Sequence, residues 1–593
     1  MHLNHDVLSA AALALLTLPW LVSAEQQQQQ QQQQRQRQHT TSFGPSKSHA
    51  RENAPFIFNA VHSAMRQWGS SVHHNGLGVM PATVPRGTLL FHGTRANVTP
   101  SGPEWLAFEM EHSENFARSW KGGRGSPAPR PPPPAPPPPG GKPREPPRGG
   151  RRPPAVMRQD EEQRRLGHGG DGGGGDWEEE EEEERPAVRG YFHTYRATRD
   201  LKLLYIDGMA AGKTGMGTLD TQDFFLRGLE SAPGFGEFER ARDVCEVVGR
   251  WGLDGVVRME IGFESIYCDF FDGLELVSVL RRPWSDTFEG GGGVDMFEWT
   301  RAVSQRYDGI GGGRVRLDFS GMVSGFWYPL NVSNPNGRRD MPRLGKLDKA
   351  EREVMLGRVE ENVKRSRRGE EGGVDWQGVV DLVVTRHADR IEMMATEGQV
   401  EAFVSQVMAV TNTFVDYPRD EFDAAGLVED ARERCMRHHL APATVRRGQW
   451  TEEDGLIYAA VESVVERVCG RLYDVRGLLV DAAPALSRVF GEGGIRSAVE
   501  DGRDDAKLAE AVQRGREAIK ALREELGWSA WKKCRPGCDV GEVCFVAMWP
   551  FGLKEDHYNP SCQNRTSLMG RGGRGGGGGG DEEEGYWEWE PRP

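Results

Sequence analysis

The chain has 593 residues, a formal charge of −14, 76 glycines, 36 prolines and 8 cysteines. An acidic balance of that size argues against nucleic acid as the partner, because neutralising phosphates needs a basic stripe. Part of the charge is local, in the acidic runs 178–184 and 581–584; over 400 residues remain outside the low-complexity stretches, enough for two cores.

Residues 11–22 are apolar but too short to span a bilayer comfortably, and they close on the small-residue site Val22-Ser23-Ala24. Residues 1–24 therefore read as a signal peptide, although the flank carries His2, His5 and Asp6 rather than Lys or Arg. The expected location is secreted, extracellular or in the cell wall, and no later apolar run is long enough to span a membrane. Residues 25–52 form a Gln-rich leader expected to be disordered. An α+β domain is expected over 53–340, interrupted by a disordered Pro/Gly/Glu-rich insertion at 121–188 that buries too little apolar surface to offset its ordering entropy. Within it, Phe56, Ala60, Val61, Ala64 and Met65 share one helix face ending near Trp68-Gly69, and Pro85 and Gly87 lead into a strand over 88–92. A second strand carries Trp105-Leu106-Ala107, and a helix carries Ser113 to Ala117.

After the insertion, 191–195 and 201–207 read as strands, a helix carries Asp223 to Leu226, and another helix spans 238–251. Strands follow at 255–261, 264–268 and 274–279, with extended segments at 315–319 and 325–330. From 345 to 527 the period becomes 3.6, predicting a helical domain of about five helices. Val400, Phe403, Val404, Val407, Met408, Thr411 and Phe414 line one face, and Thr451 with Asp454 forms a capping box ahead of Ile457. Residues 528–566 are a Cys-rich cap, and 567–593 a disordered tail.

An even cysteine count in an exported chain predicts disulfides. Proximity pairs Cys245 with Cys268 and Cys435 with Cys469, while Cys534, Cys538, Cys544 and Cys562 form a knot whose pairing stays open. A zinc reading of that knot lacks a histidine at ligand spacing other than His557, and no metal is expected. Sequons at Asn97, Asn331 and Asn564 are compatible with glycosylation.

Several patterns fall short of chemistry. Gly212-Lys213-Thr214 ends like a phosphate loop, but Asp207 stands where the first Gly is needed. Ser320 and Ser324 do not satisfy Gly-x-Ser-x-Gly, and His73-His74 and His438-His439 are adjacent pairs whose rings diverge. Asp220 and Asp223 suggest carbohydrate hydrolysis only if geometry pairs them.

The segment Leu89-Leu90-Phe91-His92-Gly93-Thr94, the Trp105-Leu106-Ala107 strand and Ser113-x-x-Phe116 carry more. Together they resemble the nicotinamide-binding core of ADP-ribosyltransferases, on the side of the poly(ADP-ribose) polymerases and RNA 2′-phosphotransferases. The resemblance spans roughly 88–280. It implies that His92 contacts ribose, that Gly93 and Thr94 support the cofactor, and that Trp105, at a position usually tyrosine, stacks on nicotinamide. It also implies a carboxylate at the start of a late strand that stabilises the oxocarbenium-like transition state; Glu264 fits best and Glu275 second. NAD would then be the substrate, with a small nucleotide or a protein as acceptor and no other cofactor. Separately, Arg66 to Ser71 with His74-Asn75-Gly76, Gly217 to Asp223, and Trp549-Pro550-Phe551-Gly552 with Glu555-Asp556-His557 resemble signatures of exported fungal proteins of no known activity.

The expected function is thus an exported ADP-ribosyltransferase-like protein, either an NAD glycohydrolase, a mono-ADP-ribosyltransferase or an inactive copy. The alternative is a non-enzymatic secreted or wall-associated protein. The acceptor and oligomeric state are not legible.

Overall fold

The computed structural model describes residues 43–119 and 188–569, apart from 231–235, 285–293, 305–308, 310–312, 335–336, 371, 397, 418–423, 489–491 and 502–505. The signal peptide, most of the leader, nearly all of the insertion and the tail from 570 lie outside these residues.

The described chain is α+β, with a mixed sheet in its first half and helices in its second. The strands are β1 (Asn75–Val84), β2 (Leu89–Thr94), β3 (Glu104–Ala107), β4 (Tyr191–Ala197), β5 (Leu201–Gly208), β6 (Gly255–Met259), β7 (Phe263–Tyr267), β8 (Leu274–Arg281), β9 (Arg316–Leu317) and β10 (Val323–Ser324). They form one sheet in the order β10-β1-β5-β6-β7-β3-β2-β4-β8, with β9 also on β1. Only β5 and β6 pair in parallel among the described strands. A parallel pair needs a long crossover, and residues 209–254 supply it. That crossover holds a π-helical turn, Thr221–Arg227, closed by Gly228 at φ 71°, and the helix Glu237–Arg250. The helix buries Ala241, Val244 and Val248 at i, i+3, i+7 spacing against the sheet, and Cys245 is bonded to Cys268 just after β7. The other outer strand, β8, exposes Leu276, Val277 and Leu280 but also displays Glu275 and Arg281, the charges that blunt an open edge.

The first helix face predicted for 56–68 is split. The helix Ala54–Ser63 stops because Met65 takes φ 56°, where Tyr205 Oη accepts the Met65 N–H at 3.1 Å, and a second helix runs Gln67–Val72. Order also starts earlier than residue 53. Ser46 caps a helix Lys47–Glu52 that packs on the long helix Glu452–Ala482, with Arg51 paired to Glu462 at 3.2 Å. A polar leader therefore ends in a docked helix, its buried face supplied by Phe43 and Ala50.

The second half holds seven helices among the described residues: Lys349–Arg367, Trp376–Thr396, Val400–Asn412, Ala424–Thr444, Glu452–Ala482, Glu492–Asp501 and Ala506–Leu526. The capping box at Thr451 and Asp454 forms as read, and it opens a helix of 31 residues. The seven helices are two more than the five expected from the period. The Cys-rich cap is a hairpin, β11 (Glu542–Phe545) with β12 (Ser561–Asn564), stapled by Cys534–Cys544 and Cys538–Cys562. Cys435–Cys469 completes four disulfides, and no described cysteine is free. No described helix is long and apolar enough to cross a membrane.

Candidate functional site

The three strands singled out by motif are consecutive neighbours in the sheet, in the order β7-β3-β2. Trp105 faces Ile266, and Ala107 faces both Glu264 and Phe91. Directly opposed residues share a face, so Phe91, Trp105 and Glu264 point one way and His92 the other. Convergence of imidazole, indole and carboxylate on one cleft is therefore not what the strands produce.

Each of the three is also buried. The His92 Nδ1–H donates to the Trp105 carbonyl at 2.8 Å, and its ring packs on Phe270 and on His193, its cross-strand partner. Burial, with His193 alongside, pushes its pKa down to about 3, so the ring is neutral, and Nε2 has no hydrogen-bond partner. Trp105 is 6% exposed and stands edge-on to Phe238 at 5.0 Å; the crossover helix fills the space where a stacked ligand ring would lie. Gly93 is required by close packing: a Cβ there would sit 2.0 Å from the Ser113 carbonyl of the helix Met110–Glu114. Thr94 is half-buried, and its Oγ1 accepts the Ala96 N–H at 3.4 Å. Glu275, the second choice, lies exposed on β8, paired with Arg196 at 2.6 Å.

Glu264 belongs instead to an enclosed charge network. Opposite it on β6, Arg258 donates to Glu264 Oε1 at 2.9 Å, to Gln222 Oε1 at 3.1 Å and to Glu237. Glu237 also receives Arg240, which forks onto Asp223 at 2.9 and 3.0 Å, and Arg227 reaches Asp223 at 2.8 Å. Lys213, from the loop that ends like a phosphate loop, pairs with Glu260 at 3.0 Å and lies 4.7 Å over the Trp549 ring. Four cations (Lys213, Arg227, Arg240, Arg258) thus meet four buried carboxyls (Asp223, Glu237, Glu260, Glu264), with the partly exposed Asp243 also on Arg227 at 2.6 Å, pairing of the kind that burial demands. Burial alone would raise Glu237, but Arg258, Lys213 and Arg240 outweigh it and hold the carboxyl at about 2. Glu264 is likewise lowered against burial, by Arg258 and His112. Glu260 goes the other way: burial pushes it up more than Lys213 pulls it down, and its Oε2 has no hydrogen-bond partner.

His112 closes the network. The Trp299 Nε1–H donates to His112 Nδ1 at 3.2 Å, which leaves the proton on Nε2, 3.4 Å from Glu264 Oε2. His112, Glu260 and Glu264 place ligand atoms within 4.8 Å of one another. A protonated Nε2 is a donor and not a metal ligand, and Lys213 already neutralises Glu260, so the donor set is that of a hydrogen-bond chain. What the arrangement offers chemically is a fixed, ionised carboxylate beside a second carboxyl of higher proton affinity.

Of this network, the motif reading found Glu264 alone. Lys213 stood in a rejected loop, Gln222 in a fungal-type segment, and His112 one residue before the Ser113 motif. Asp223 was read only with Asp220 toward carbohydrate hydrolysis, and the two are tied to different arginines, Arg240 and Arg343. The fungal-type segments meet here: Asn75 donates to the Met216 carbonyl at 2.7 Å, Gln67 to Met548 sulfur at 3.4 Å, and Phe551 stands edge-on to Trp299 at 5.8 Å.

Residues 47–290 match the family model described as the YPL277C N-terminal domain. The chain is 26% identical over 579 residues to a Saccharomyces cerevisiae protein called uncharacterized protein YOR389W, covering 85% of this chain and 83% of that one. It is also 26% identical over 420 residues to uncharacterized protein YPL277C of the same yeast, covering 61% and 79%. The fungal resemblance thus holds at the level of similarity to yeast proteins whose names state no activity. No solved structure matches the chain.

Proposed function

We propose that the region 88–280 carries an ADP-ribosyltransferase-like NAD site, in an exported protein, that is shut in this conformation by Phe238 of the crossover helix against Trp105 and by the helix Met296–Ser304 against His112. The observation that supports this reading is the adjacency of β7, β3 and β2, which sets Glu264 beside the Trp105 strand although 159 residues separate them. Glu264 is held ionised, the form that stabilises positive charge growing on an anomeric carbon. His92, on the other face of the sheet, serves in this reading as a strut for β3 through its bond to the Trp105 carbonyl and not as the ribose contact.

Closure is read from the helix itself. A groove of about 310 Å³ runs beside β2 and β3, lined by Phe91, Phe108, Glu109, Glu298, Arg301 and Arg314. Glu298 and Arg301 turn toward that groove, whereas Trp299 and Val303 turn inward to His112 and Gly262. The helix thus separates the groove from Glu264.

Nicotinamide release from NAD tests this. The wild-type protein should release it slowly, Trp299→Ala about tenfold faster or more, and Glu264→Gln in the Trp299→Ala background should fall back to the wild-type rate. A Trp299→Ala protein that keeps its circular dichroism yet neither binds NAD nor releases nicotinamide would overturn the proposal. It would favour the second reading, a non-enzymatic exported or wall-associated interaction protein. Burial of His92, Trp105 and Glu264, the four disulfides and the exposed sequon residues Asn97, Asn331 and Asn564 support that alternative.

A further inference from the structure

The centre of the helical half holds a cluster that neither reading uses. Cys435 and His439 lie one turn apart on the helix Ala424–Thr444, and Cys469 sits opposite them on Glu452–Ala482. One ligand atom from each of the three lies within 4.8 Å of the others. His387, on Trp376–Thr396, brings its Nε2 to 3.0 Å from the His439 Nε2. All four side chains are buried, each at 2% exposure or less.

We propose that Cys435, Cys469, His439 and His387 form a redox-gated site for a tetrahedral divalent cation of the zinc type, available when the Cys435–Cys469 bond is open. Three considerations support it. Two thiolates and two imidazoles are the donor set that zinc takes in closed structural sites. Metal–ligand lengths of about 2.0–2.3 Å put tetrahedral ligand atoms roughly 3.3–3.8 Å apart; the two Nε2 atoms lie 3.0 Å apart, and the two sulfurs, 2.06 Å apart while bonded, must separate when the bond opens. Finally, His387 Nδ1 is buried without a hydrogen-bond partner, so no carbonyl or carboxylate locks the ring's orientation.

The chemistry balances with a dithiol as co-reactant. The dithiol gives two electrons and two protons to the Cys435–Cys469 bond, becoming a disulfide itself and leaving two thiols. The cation then displaces those two thiol protons and binds the thiolates. In an oxidising compartment the bond forms and the site is closed.

The test uses the full-length chain, reduced with excess dithiol, freed of it without air, and titrated with Co²⁺ as the probe. The expected result is tetrahedral d–d absorption with thiolate-to-cobalt charge transfer, displaced by Zn²⁺, and protection of two thiols from alkylation. The C-terminal knot also yields thiols, so its share is read in the Cys435→Ser/Cys469→Ser double variant and subtracted. His439→Ala and His387→Ala should each weaken the remaining signal about tenfold or more, with the oxidised variants as helical as wild type. A signal unchanged by the double cysteine variant, or unaffected by both histidine variants, would overturn the proposal. So would a reduced chain that loses its helicity and does not recover it with Zn²⁺.

Discussion

The crossover side of the sheet and the centre of the helical half bury polar groups by opposite means. Beside the sheet, four cations are set against four carboxyls, and nearly every charge has a named partner. In the helical half, neutral imidazoles and a disulfide sit among Val, Leu and Phe side chains. The contrast teaches where each half is fragile. A charge network fails when one member is removed, because the survivor stays buried and uncompensated; an apolar core fails in proportion to the volume removed.

The largest expected effect breaks the network at its hub. Arg258→Ala strands both Glu237 and Glu264, and should cost about 3–5 kcal/mol, measured as a lowered midpoint in urea unfolding. A loss under about 1 kcal/mol would mean that water or a shifted Lys213 replaces it.

Asp207 sharpens the comparison from the other side, as a buried carboxyl with no cation partner. Burial raises it to about 7, only partly offset by the Gly208 N–H and the Tyr205 hydroxyl. Its folded pKa lies above the unfolded value of about 3.9, so the native state holds the proton longer. Stability linked to this group is full below pH ~4 and is lost as pH rises through about 7, amounting to about 4 kcal/mol. Asp207→Asn should remove that slope between about pH 4 and 7. A variant with the wild-type pH profile would show that the group ionises normally.

In the helical half a comparable change is small. Thr451→Ala removes the side chain that accepts the Asp454 N–H at 3.1 Å, and should cost about 1 kcal/mol in thermal unfolding. A cost of 3 kcal/mol or more would indicate that Asp454, which also accepts from Trp376 and Ser320 at 2.7 Å, is displaced with it.

How much of this was legible follows the same divide. Period, caps and cysteine spacing are local signals, so the strands at 88–92 and 264–268, the capping box at Thr451 and two of the disulfides could be read directly. The pairing of Arg258 with Glu237, or of His112 with Glu264 across 152 residues, has no local signature and depends on which strands become neighbours. Strand position was readable for His92, but the face of its side chain was not, because a one-residue difference in register reverses it. Leader composition hid the helix Lys47–Glu52, whose docking is decided by a surface supplied far downstream.

That docking sets an order of events during synthesis. Arg51 waits for Glu462, which is added 411 residues later, and Asn59 and Trp68 bond backbone carbonyls still further along, at Leu526 and Ser529. At about 5–20 residues per second the delay is roughly 20–80 s. Through that interval Phe58 and Trp68 have no permanent cover, so the nascent first half is the stretch of this protein most in need of a holding chaperone.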